Sequence, residues 1–231
     1  FYLKKFDKGI TLTEEIRLKN KDTEVTNYFL AQCYKEKGNY EEFLNSLFNS
    51  IKINKNYQPT LELFFLYLEK EENLTNHKLK SEIYKNIWLI LDEKLVPLSK
   101  IKSIIELIIV REFKNLQEVN IDSADLNNII KNHNQDSIES IYKEITNLSG
   151  EKSLMHYVMN NANITNLELE VIIIRIRVLL ILFHNLNLIK TESYEESIPF
   201  LISLINQTLL RGQIWFETEF EDSLIDKLKI D

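Results

Sequence analysis

The chain has 231 residues, 44% of them hydrophobic and 27% charged, proportions that suit a globular protein with a sizeable core. Its 4 Gly and 3 Pro are too few for a many-stranded, turn-rich fold. Gly9, Gly38, Gly150 and Gly212 each stand alone, so no G-x-G-x-x-G or Walker-type phosphate loop is present. The net charge of −7 argues against a nucleic-acid partner, which would need a basic face.

The single cysteine, Cys33, rules out an internal disulfide and fits a reducing compartment, hence a cytoplasmic location. The longest apolar run, VIIIRIRVLLILF, carries Arg175 and Arg177 and is too short and too charged for a membrane span. No signal peptide opens the chain. Because it begins at Phe1, that absence says little about targeting.

In chain order, Ile16-Arg-Leu-Lys-Asn-Lys-Asp22 is echoed by Ile51-Lys-Ile-Asn-Lys-Asn-Tyr57, which predicts that residues 1–21 close an earlier repeat and that the chain begins inside a helical array. Residues 28–57, YFLAQCYKEKGNYEEFLNSLFNSIKINKNY, read as a helical hairpin. Phe29, Leu30, Cys33 and Tyr34 recur at helical spacing, as do Phe43, Leu44, Leu47 and Ile51, giving each helix one apolar stripe. Gly38 suits the left-handed residue that ends the first helix. Pro59 fits the first turn of a further helix over 60–71, whose partner covers 80–93. The polar link 71–77 is longer than a repeat turn and marks the end of the regular array.

With Glu24 as the first position, Leu30, Ala31, Tyr34, Gly38 and Tyr40 fall where a tetratricopeptide repeat has its defining residues, and the hairpin resembles one. Phe43, Leu47 and Ser50 replace the small, aromatic and small residues usual in the second helix, and Lys55 replaces the terminal proline. The bulk of Phe43 is expected to splay the pair. If the array has a concave face, Tyr28, Gln32 and Lys35 line it, with Glu62 and Lys70 from the next helix. Such faces bind a peptide, a protein or an adjoining domain.

Beyond the array, Pro97 is expected to stop a helix near Val96, and Ser99 or Ser103 to cap a helix over 101–113. Shorter helices follow at 123–131, 137–148 and 152–159. Thr165-Asn-Leu-Glu168 reads as a capping box opening a helix through about His184. Ser193-Tyr-Glu-Glu196 offers a start for the next helix, with Pro199 implying either a start nearer Ser197 or a kink, and Thr218-Glu-Phe-Glu221 opens a last helix. The fold class is all-α: degenerate tetratricopeptide-like helical hairpins over 1–72, followed by a helical bundle over 73–231.

Few residues offer chemistry, and no catalytic, cofactor-binding or metal-binding residue is assigned. His77, His133, His156 and His184 lack the further ligands a zinc site needs. Cys33 reads as a small hydrophobe on the inner face of its helix. An unpaired guanidinium in a core is costly, and Arg175 and Arg177 lie about 200° apart on a helix, so at most one faces the core squarely. The simplest arrangement sends one to solvent and pairs the other, as Arg177 with Glu170; the alternative is an anion or partner site between helices.

Leu169-Glu170, Ile173, Arg177, Leu180 and Ile181, with Gln207, Leu209, Trp215 and Glu221, make residues 153–228 resemble a known helical region. That region lies between the repeats and the catalytic domain of bacterial tetratricopeptide-containing methyltransferases that use S-adenosylmethionine. Ile174, Thr208 and Arg211-Gly-Gln213 depart from the family pattern. The resemblance implies a non-catalytic front half without cofactor, holding a protein or peptide substrate or docking on an enzyme domain that would follow Asp231. The alternative is a stand-alone adaptor with no enzymatic role. A third expectation, a complete helical enzyme with a site near Arg177, has less behind it.

Overall fold

Every regular element among the described residues is an α-helix, as the scarcity of turn residues predicts. The computed structural model describes residues 3–20, 22–70, 78–113, 135–150, 152–185 and 197–211. The helices expected at 123–131 and from Thr218 onward lie outside these residues, as do the 71–77 link with His77, and His133. The chain divides into two compact units, Phe1–Ile104 and Ile105–Asp231, where the sequence reading drew its line at 72.

The first unit contains α1 (Leu3–Asn20), α2 (Glu24–Glu36), α3 (Tyr40–Ile53), α4 (Gln58–Lys70) and α5 (Lys80–Asp92). Consecutive helices from α1 to α4 pack against one another as successive hairpins. Leu30, Ala31, Phe43, Leu44, Leu47, Ile51, Leu61, Phe64 and Leu68 form the core, each fully or almost fully buried. Burying one such Leu, Ile or Phe side chain contributes about 1.5–3 kcal/mol. Phe43 packs edge-on against Tyr67 of α4, with ring centroids 5.2 Å apart.

One expectation for α2 fails: Phe29 is 51% exposed. The buried stripe is Asn27, Leu30 and Ala31, a set centred away from position 29. Cys33 is only half-buried and faces α1. A Cβ added at Gly9 would lie 3.1 Å from its sulfur, so the absence of a side chain at position 9 lets α1 and α2 approach there.

The ends of α2, α3 and α4 converge on one hydroxyl. Ser50 Oγ donates to the Glu24 carbonyl at 2.9 Å and lies 2.7 Å from Thr60 Oγ1. Since its only proton goes to Glu24, Thr60 must be the donor in the second bond. Both side chains are fully buried. Asn54 Nδ2 adds a bond to Glu24 Oε1 at 3.2 Å.

Two helices end by the same geometry. At Gly38, φ is +73°; Asn39 N–H donates to Tyr34 O and Gly38 N–H to Lys35 O, each at 3.0 Å. This is the Schellman arrangement, and the sequence expectation for Gly38 holds. At Lys94, φ is +53°, with Leu95 N–H bonded to Ile90 O at 3.0 Å and Lys94 N–H to Leu91 O at 3.2 Å. Helix α5 therefore stops at Asp92, within a residue of the expected span 80–93 and several residues before the stop near Val96 that Pro97 implied. A side-chain-bearing residue in the left-handed conformation does what the proline was expected to do.

Helix α6 (Leu98–Phe113) begins directly after Pro97, ahead of the serines expected to cap it, and carries the boundary between the units. The second unit also contains α7 (Gln135–Ser149), α8 (Leu154–Asn161), α9 (Leu167–Asn185) and α10 (Ile198–Arg211). Helix α10 packs on α8 and α7. Helix α9 buries Leu169, Ile172, Ile173, Ile176, Leu179, Leu180 and Phe183 along one apolar stripe about 120° wide, with Val178 buried on the other side.

Its cap differs from expectation. Asn166, not Thr165, accepts the Leu169 N–H, at 3.1 Å. Thr165 instead donates its N–H to Glu106 Oε1 at 3.0 Å and its hydroxyl to Glu106 Oε2 at 3.4 Å. A buried carboxylate on α6 has taken the residue that the local pattern assigned to the helix end.

The two left-handed ends generate opposite predictions. A Cβ at Gly38 would meet nothing within 4 Å, so Gly38→Ala is expected to cost only the conformational penalty, about 1–2 kcal/mol. Lys94→Gly removes that penalty and is expected to leave stability unchanged or raised by up to about 1 kcal/mol. Urea unfolding followed by circular dichroism measures both.

Candidate functional site

Helix α2 places Tyr28, Gln32 and Lys35 along one face at spacings of four and three residues, as the helical period requires. Gln32 Nε2 donates to the Tyr28 hydroxyl at 2.8 Å, fixing both side chains. The Tyr28 ring meets Tyr57, in the link leading into α4, edge-on at 5.8 Å, so this face of α2 lies beside the start of α4. On α4, Glu62 and Lys70 are exposed and two turns apart on one face. Lys35, Glu62 and Lys70 have no hydrogen bond or ion pair among the described residues.

Tyr28 and Gln32 are thus in direct contact, while Glu62 and Lys70 share α4 without contacting the α2 set. The sequence reading missed the apolar members of the same faces: Val25 is 38% exposed, Phe29 51% and Leu66 50%. A helical projection centred on Leu30 and Ala31, rather than on Phe29, would have found the first two.

Glu170 and Arg177 lie seven residues apart on α9, hence on nearly the same side of it, and both are half-buried. Arg175 is half-buried as well, so neither guanidinium lies fully in the core. Among the described residues, no group of three or more His, Cys, Asp or Glu could hold a metal ion, and no helix is long and apolar enough to cross a membrane.

One arrangement in the second unit resembles a nucleophile and its base. Ser203 Oγ lies 2.8 Å from His156 Nδ1. The hydroxyl also donates to Pro199 O at 2.9 Å and accepts from Asn160 Nδ2 at 2.9 Å, and Ser203 is fully buried. A nucleophile must reach its substrate, so this cluster is a latch between α8 and α10. Gln207 extends it. Its fully buried carboxamide donates to Met159 O at 2.5 Å and Ala162 O at 2.6 Å, and accepts from Ile164 N–H at 3.3 Å. Asn206 bonds Asn160 across the same pair of helices.

Cys33 is the only thiol. Its burial between α1 and α2 pushes its pKa above the ordinary thiol range, so little thiolate is present at neutral pH. Comparison with known protein families, curated proteins and solved structures gives no match to this chain.

Replacing Gln207 by Leu would remove the hydrogen bonds its carboxamide makes to the Ile164 amide and to the Met159 and Ala162 carbonyls. The variant is expected to lose about 2–3 kcal/mol, read as a fall in the urea midpoint of the second unit. Iodoacetamide should alkylate Cys33 more slowly than a free cysteine peptide at pH 8. Its rate should keep rising with pH where the peptide's has levelled off; a thiol that levels off with the peptide would contradict the assigned burial.

Proposed function

We propose that this chain is a protein-interaction scaffold, the substrate- or partner-binding accessory region of a larger, methyltransferase-like transferase. The observation that carries the binding half is the exposed face of α2 and α4. Val25, Phe29 and Leu66 are exposed there, beside the Tyr28–Tyr57 contact and Lys35, Glu62 and Lys70, which have no hydrogen bond or ion pair among the described residues. Apolar side chains gathered at a surface and rimmed by charge mark protein contact sites. The likeness of the α2–α3 hairpin to a tetratricopeptide repeat supports the same reading.

The transferase half is supported by the likeness of α9 and α10 to the helical region of the methyltransferases. Leu169, Ile173 and Leu180, which carry part of that likeness, are core residues of α9. A cytoplasmic location fits the single unpaired cysteine. The second reading, a stand-alone adaptor, is favoured by the place of the α2–α4 face within a unit that has its own core.

The test is a pull-down with the chain carrying Tyr28→Ala, Gln32→Ala and Lys35→Ala together. Recovery of a partner that the wild type retains should fall at least about tenfold while the helical circular dichroism stays unchanged. Unchanged recovery removes the α2–α4 face. A reading frame that stops directly after Asp231 removes the transferase reading and leaves the adaptor.

A further inference from the structure

Helices α3 and α5 run side by side in the same direction, tied at both ends. Lys78, just before α5, pairs with Glu41 in the first turn of α3 at 2.7 Å. Lys55, just after α3, pairs with Glu93 at the end of α5. Between these ties the two helices enclose an open cleft of about 930 Å³. It shares no residue with the α2–α4 face.

The base of the cleft is apolar. Phe48, Trp88 and Leu89 are half-buried there, and the Phe48 ring rests edge-on against Phe64 at 5.8 Å. The α3 wall carries Asn45, Asn49 and Lys52, and the α5 wall carries Glu82, Lys85 and Asp92. Glu82 and Lys85 pair with each other at 3.8 Å. Asn45, Asn49, Lys52 and Asp92 have no hydrogen bond or ion pair among the described residues.

Two features select the ligand. First, Asn45 and Asn49 present side-chain amides at a spacing of about 6 Å along the helix axis. Main-chain groups on one side of an extended peptide recur about every 6.7 Å, so two successive amides can each donate to a carbonyl and accept from an N–H. Second, the charges cancel: Lys52 and Lys85 oppose Glu82 and Asp92. A phosphate or a strongly charged polymer gains nothing from such a site.

We propose that the cleft between α3 and α5 binds an uncharged stretch of extended peptide, with its main chain held by Asn45 and Asn49 and one apolar side chain placed over Phe48 and Trp88. The α3 wall from Asn45 to Lys52 is about 10 Å long and the α5 wall from Glu82 to Asp92 about 15 Å. At about 3.3 Å per residue, three to five peptide residues fit between the two ion pairs.

A random heptapeptide display library panned against the full chain supplies the probe. Each enriched peptide is then titrated while Trp88 fluorescence is followed in a Trp215→Phe background, which leaves Trp88 as the only tryptophan. The expected result is enrichment of peptides without net charge and a change in Trp88 emission on binding. Affinity should fall at least about tenfold in an Asn45→Ala, Asn49→Ala variant. It should stay within about twofold between roughly 50 and 300 mM salt. Among the described residues neither asparagine side chain makes a hydrogen bond, so the melting temperature of that variant should match the wild type.

The proposal is overturned if no peptide is enriched, if enriched peptides are charged and released by salt, or if the asparagine variant binds as well as the wild type. Loss of binding in the Tyr28, Gln32 and Lys35 variant instead would place the peptide on α2 and α4. That outcome would overturn the cleft while supporting the other face.

Discussion

Three helix ends meet at the Ser50 hydroxyl, and the arrangement of the first unit depends on that junction. Ser50 belongs to the last turn of α3, Glu24 to the first turn of α2 and Thr60 to the first turn of α4. Inside a core each of these polar groups needs a partner. The chain Thr60 to Ser50 to Glu24 satisfies all three with two bonds, and it sets how closely the helix ends can approach. An alanine at position 50 would leave the Glu24 carbonyl and the Thr60 hydroxyl each one partner short. A bulkier residue would force the ends apart.

From that junction the faces of the hairpins follow. With its Leu30 and Ala31 side turned inward, α2 presents Val25, Phe29 and Gln32 to solvent; with Leu61, Phe64 and Leu68 turned inward, α4 presents Glu62 and Leu66. On α3, Phe43, Leu44, Leu47 and Ile51 enter the core, which leaves Asn45, Asn49 and Lys52 along the side that meets α5. Both proposed surfaces are therefore by-products of the same interior packing, displayed on different helices.

The all-α class and the hairpin turn were legible in the sequence because they rest on local causes: too few turn residues for sheets, apolar positions at helical spacing, and a glycine where φ is positive. Helix ends were less legible. Lys94 ends α5 without a glycine to announce it, and Thr165 is drawn from its capping role by Glu106, a carboxylate distant in sequence. Side chains that answer to a distant partner behave alike: Gln207 looks unremarkable in its helix, and its worth lies in three groups on the α8 side. The candidate face was half legible. Helical period put Tyr28, Gln32 and Lys35 together, but the exposure of Phe29 depends on which neighbours cover α2, and the cleft beside α5 depends on a pairing that no local pattern encodes.

Gly9 and Cys33 occupy what amounts to one shared volume. A Cβ on residue 9 would stand 3.1 Å from the Cys33 sulfur, so neither position can grow alone without displacing the other. Among related chains that keep this helix pair, the two positions should drift together: alanine at 9 tolerated where 33 has shrunk to alanine or glycine, and larger residues at 33 found only above a glycine. The pair would then be visible as a correlated substitution between positions far apart in sequence.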